Sequence, residues 1–150
     1  MATDKLNAFF ERAILLKDAN LAEEAITAVF SQEKPNIFEN YLSVLLVSDW
    51  HFRHEDIAHL LQTIASPKSV GFLLDATTLK FGYLAYDDSH ALARKCVWAL
   101  ADIGTGEAKA ALTEISKNED PKVAGYAQKR LDKWTIEVSR KNNNADEKRI

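Results

Sequence analysis

One short helical pattern is written twice between residues 89 and 134, and this constrains the fold more than any other feature of the chain. Ala93, Cys96, Val97, Leu100 and Ile103 recur at helical spacing and end at a Gly104-Thr105-Gly106 break. A second run, Ala108, Ala111, Leu112 and Ile115, follows. Asp120-Pro121 then restarts the first pattern, with Val123, Ala124, Ala127 and Leu131 standing where Leu92, Ala93, Cys96 and Leu100 stood, an offset of about 31 residues. A period of this length belongs to stacked helical units, none of which buries its apolar face alone.

The residues in this stretch resemble HEAT repeats. The run Ala91-Leu-Ala-Arg-Lys-Cys-Val-Trp-Ala-Leu-Ala-Asp-Ile-Gly, then Gly106-Glu-Ala-Lys-Ala-Ala-Leu, then Asp120-Pro-Lys-Val-Ala is most similar to the short HEAT-like type of the phycobilisome lyases. The resemblance covers about a third of the chain. It implies an all-α fold, a right-handed α-α superhelix of about eight helices. The residue choices make physical sense in that fold. Ala93, Ala99, Ala108 and Ala111 let helix axes approach, and Gly104 supplies the left-handed backbone just past a helix end. Pro121 suits a first helical position with Asp120 as its N-cap.

A weaker copy lies upstream. Ile57, Leu60, Leu61 and Ile64 form an apolar stripe, Ser66-Pro67 marks a new start, and Val70, Leu73, Leu74 and Thr77 follow. Shifted by about 39 residues, Ile57, Leu61, Ile64 and Leu73 meet Cys96, Leu100, Ile103 and Leu112, so the extra length falls in residues 80–88. Three further helices are expected toward the N-terminus. Their stripes are Leu6, Phe9, Phe10, Ala13 and Ile14; then Leu21, Ala25, Ala28 and Val29; then Ile37, Tyr41, Val44, Leu45 and Ser48. Residues 1–138 read as one domain with a continuous core, and the composition of 139–150, with its three consecutive Asn, predicts a disordered tail.

Several functions are set aside by what the sequence lacks. No stretch approaches the roughly 20 apolar residues that span a bilayer, and Asp4 and Glu11 interrupt the N-terminal apolar positions, so a secretory leader is not expected. Cys96 is the single cysteine, which favours a reducing compartment, a cytoplasmic location and a packing role for the thiol. His54-Glu55-Asp56-Ile57-Ala58-His59 superficially suggests a zinc helix, but the histidines are five apart, about 140° around a helix, and cannot share one metal. No metal, no cofactor and no catalytic residue is expected. Lys109, Lys117, Lys122, Lys129, Arg130 and Lys133 are interleaved with Glu107, Glu114, Glu119 and Asp132, the pattern of a solvated face and not of a phosphate-tracking stripe. Nucleic-acid binding, known in HEAT-like DNA glycosylases, is therefore a minor alternative.

What remains is aromatic and acidic material where helices end: Asp49-Trp50-His51-Phe52-Arg53-His54, and the enlarged link with Tyr83, Tyr86, Asp87 and Asp88. Inserted residues in repeat proteins map to one face, often the binding face. Trp50, Arg53, His54, Tyr83, Tyr86, Asp87 and Asp88 are accordingly the candidate partner-binding residues. The competing expectation is that Tyr83, Leu84 and Tyr86 plug the gap between units, with Asp88 or Ser89 capping the next helix. Residues 1–60 carry ten acids against five Lys and Arg, which suits a basic partner. The resemblance extends to small HEAT-like immunity proteins of bacterial toxin systems, contact-dependent growth inhibition among them. It implies a protein that binds and neutralises a toxin such as a nuclease, with a bilin-type lyase or isomerase as the enzymatic alternative.

Overall fold

The structure, a computed structural model, describes residues 1–140. The described residues are all-helical, with no strand. Eight α-helices follow in order: α1 Thr3–Leu16, α2 Ala19–Val29, α3 Glu39–Leu46, α4 His54–Ile64, α5 Val70–Ala76, α6 Ala91–Ile103, α7 Gly106–Ile115 and α8 Pro121–Asp132. Helical backbone resumes at 134–140. Of the tail expected from 139 onward, 139 and 140 are helical and 141–150 lie outside the described residues.

The starts and stops are set by local chemistry. Asp18 caps α2 by accepting from the Asn20 and Leu21 N–H groups, Thr105 caps α7 through the Ala108 N–H, and Asp120 caps α8 through the Lys122 N–H. Gly104 ends α6 with φ +69°, and Pro121 occupies the first turn of α8, as the sequence predicts.

Consecutive helices pair, α1 with α2, α3 with α4, α5 with α6 and α7 with α8. Contacts also skip one element: α3 meets α5 and α5 meets α7, while α4 meets α6 and α6 meets α8. The helices that share a sequence pattern, α4, α6 and α8, are thus side by side. The core runs through the whole set, from Leu6, Phe10 and Ile26 through Leu42, Leu46, Ile57, Leu61 and Leu73 to Cys96, Leu100, Leu112 and Ala127. Burial pushes the Cys96 thiol up to about 12, so it packs as an uncharged side chain.

One expectation needs correction. The inward face of α3 is Phe38, Leu42, Leu45 and Leu46, whereas Ile37 and Val44 are 49% and 40% exposed. The run Tyr41-Leu-Ser-Val-Leu-Leu-Val is apolar nearly all round, so periodicity alone fits two registers. Trp98, on the outer side of α6, is 41% exposed and serves as the platform for the buried Arg130, whose guanidinium lies 3.8 Å from the ring centroid and pairs with Glu137 at 2.7 Å.

Candidate functional site

Because successive helices pair, the links after α1, α3, α5 and α7 come together at one end of the molecule. One groove there is lined jointly by Lys17, by Asp49 and Trp50, and by Leu79, Lys80 and Phe81. The fourth link joins through His90, whose Nε2 lies 2.7 Å from the Asp120 carboxylate. This end also carries the N-termini of α2, α4, α6 and α8. Helix N-termini favour acids, which explains why Asp18, Glu55, Asp56, Asp87 and Asp120 gather here.

The centre of this end is built from two histidines. His51 Nε2 donates to the Leu45 carbonyl at 2.6 Å, and its Nδ1 accepts from the Arg53 N–H at 3.1 Å. His54 Nε2 donates to the Ser48 carbonyl at 2.5 Å, while its Nδ1 accepts from the Tyr83 hydroxyl at 2.6 Å. The same Tyr83 oxygen accepts from the His54 backbone N–H at 3.2 Å. Every ring nitrogen is used, and the pattern fits only neutral imidazoles. The two rings stack 4.1 Å apart, and Phe81 lies 3.8 Å from the other face of His54. Burial, followed by the neighbouring His51, pushes His54 down to about 4, and burial lowers His51 as well. Burial likewise raises the Tyr83 phenol, keeping it a neutral donor.

This arrangement separates the candidate residues. His54 is fully buried and Tyr83 half-buried, bonded to it from 29 residues away; both are scaffold. Arg53 is held by Glu23 at 3.1 Å and Asp56 at 2.6 Å, tying α2 to the start of α4. Trp50 is half-buried and stands edge-on to His51, with ring centroids 5.5 Å apart. Tyr86 points outward at 82% exposed, and Asp88 is exposed beside it. Phe52, 64% exposed and edge-on to Tyr83 at 5.4 Å, belongs to the same surface, although the sequence reading did not single it out.

The enlarged link is rigidly fastened. Tyr83 and Leu84 pack against the core and plug the gap together with Phe81, and Tyr86 does not. Its cap is Asp87, not Asp88 or Ser89: one carboxylate oxygen accepts from the Ser89 N–H and hydroxyl, the other from the Ala91 N–H at 3.0 Å. These bonds hold the Asp87 carboxyl below its ordinary value. From α8, Lys122 Nζ donates to the Asp88 carbonyl at 3.0 Å and the Tyr126 hydroxyl to the Ser89 carbonyl at 2.6 Å. His90 itself has φ +53° at the start of α6, a strained place for a non-glycine residue, whereas Lys17 and Ala65 take the same conformation at helix ends. Asp87→Ala should therefore lower the melting temperature by several degrees, while Asp88→Ala leaves it unchanged; thermal unfolding followed by circular dichroism measures both.

No cluster of three or more His, Cys, Asp or Glu with metal-binding geometry occurs among the described residues. His59 lies apart from the histidine stack, exposed and 6.2 Å from the Phe30 ring. No described helix is long and apolar enough to cross a membrane. No family model, curated protein or solved structure matches this chain.

Proposed function

We propose that the chain is a non-catalytic protein-binding module, a small HEAT-like α-solenoid, and that it acts as an immunity protein neutralising a basic toxin such as a nuclease. The solenoid reading is supported by the skipping contacts that place the pattern-sharing helices α4, α6 and α8 next to one another. The observation that carries the binding reading is the exposed pair Tyr86 and Asp88 on a link whose backbone is fixed from both sides, with Phe52 on the same surface. A large aromatic held on a rigid base costs little ordering entropy on association, which is what an affinity anchor needs. Acids that begin the helices give this end the sign a basic partner seeks.

Of the six basic residues near the C-terminus, Arg130 is buried on Trp98, Lys122 donates to the Asp88 carbonyl and Lys109 lies 5.9 Å from the Trp134 ring centroid, while Lys117, Lys129 and Lys133 are exposed. The interleaved Glu107, Glu114, Glu119 and Asp132 break any stripe of one sign, which supports protein over nucleic acid as the partner.

The test begins in the genome: the neighbouring gene should encode a toxin. Against that gene's purified product, Tyr86→Ala with Asp88→Lys should weaken binding by about thirtyfold or more, as loss of an anchor worth about 2 kcal/mol implies. The melting temperature should stay within a few degrees of the unaltered protein, and protection of cells against the toxin should be lost. Undiminished affinity in the double variant refutes this surface, and a neighbouring product that neither binds nor kills refutes the immunity role.

A further inference from the structure

Next to the histidine stack, the rings of Phe52 and Tyr83 stand edge-on, with centroids 5.4 Å apart and planes at 90°. Two perpendicular rings leave a corner in which one flat group can lie against both. Phe52 is exposed, and so is Tyr86 on the same link as Tyr83, so the corner is open from outside. We propose that it receives an arginine side chain of the protein partner, the guanidinium stacking on Phe52 and Tyr83 and pairing with Glu55. The proposal rests on the protein-binding reading and names the chemical group that this end of the molecule recognises.

Two features select a planar cation. The first is the rings: an aromatic face is the negative side of the ring, and a guanidinium lies flat on it while its N–H edge remains available to acceptors. The second is the acids. After burial, the charges of Glu55, Asp56 and Tyr86 help to raise the Tyr83 phenol, which places both carboxylates within electrostatic reach of that ring. Asp56 is held by Arg53, and Arg53 is shared with Glu23, whereas Glu55 has no ion-pair partner among the described residues. Three carboxylates, Glu23, Glu55 and Asp56, thus stand against one guanidinium, and their excess outweighs the partial positive charge at the start of α4. Lys80, the basic residue of the link, lines the groove with Lys17 and Asp49. The site is also set before binding. The Tyr83 oxygen is bonded to both the ring and the backbone N–H of His54, so little ordering is lost when a side chain docks. A lysine ammonium is more strongly hydrated and has no flat face to lay on the rings.

The probe is an acetylated glycine-arginine-glycine amide at millimolar concentration, followed by proton nuclear magnetic resonance. The lysine and citrulline peptides are its controls; citrulline keeps the shape of arginine and loses the charge. The arginine peptide should bind saturably, with its δ-methylene protons displaced upfield by the ring currents of Phe52 and Tyr83. The lysine and citrulline peptides should bind about threefold more weakly or less, the value of one exposed cation–π contact or ion pair. Glu55→Gln should cost about the same factor and keep the upfield displacement, whereas Phe52→Ala should cost as much and diminish it. Glu114→Gln, an exposed acid on α7, should change nothing. Circular dichroism confirms that the variants fold. Absence of saturable arginine binding overturns the site, as does equal affinity for either control peptide or unaltered affinity in Glu55→Gln or Phe52→Ala. Because the peptides are tested without the partner, failure here leaves the affinity loss expected of the Tyr86 and Asp88 double variant standing as a separate result.

Discussion

Lowering the pH from 7.5 to 5 is expected to cost this protein about 2 kcal/mol of stability or more through its two buried histidines. His54 is neutral in the folded chain and held down to about 4, whereas an unfolded histidine titrates near 6.5. Protonation therefore favours the unfolded state. The stability is fully present above about pH 6.5 and is lost as the pH falls toward 4. At pH 5 the loss from His54 alone is about 2 kcal/mol, and His51, shifted the same way by burial, adds to it. Asp87 and Asp120 are shifted below their ordinary values, so their contribution disappears only in a more acidic window, below about pH 4. The two phases are distinguishable in a plot of melting temperature against pH. His54→Gln retains a donor for the Ser48 carbonyl and cannot titrate; its curve should lie lower at neutral pH and be flatter between 6.5 and 4. A melting temperature of the unaltered protein that is level from pH 7.5 to 5 rules out the neutral stacked pair.

Why this pair was invisible in the sequence is instructive. His51 precedes α4 and His54 opens it, so no helical spacing links the two rings. Their remaining partners, Phe81 and Tyr83, come from about 30 residues downstream, and nothing local marks the association. By contrast, the end of α6 and the start of α8 were legible because Gly104, Asp120 and Pro121 each answer a local backbone demand. The enlarged link was located by repeat arithmetic, yet its division of labour was not. Tyr83, Tyr86, Asp87 and Asp88 are equally plausible anchors or supports as letters. Only the direction of each side chain assigns Tyr83 and Asp87 to the support and leaves Tyr86 and Asp88 outside. The misread face of α3 has a plain cause: several burial registers satisfy an apolar-rich helix, and the neighbouring elements select among them.

The most destructive single change is expected at Ala99, from which the chain should not recover a cooperative fold. α6 is the element on which α4, α5, α7 and α8 all pack, and Ala99 is fully buried within it. Ala99→Asp introduces both bulk and a carboxylate where small size lets helices meet and where no water reaches. An unpaired buried carboxylate costs several kcal/mol even after its pKa rises, against a total stability of about 5–15 kcal/mol for a domain. Arg94→Asp on the same helix is the control, because position 94 is exposed and the carboxylate there stays hydrated. Far-ultraviolet circular dichroism with thermal melts should show a cooperative transition for Arg94→Asp and none for Ala99→Asp. Since Asp87 caps α6 and the link bearing Tyr86 hangs from that cap, partner binding should vanish together with the fold in Ala99→Asp and persist in Arg94→Asp. A cooperatively folded Ala99→Asp protein would show that α6 presents a different face to its neighbours, and would displace the link, the histidine stack and the exposed anchor along with it.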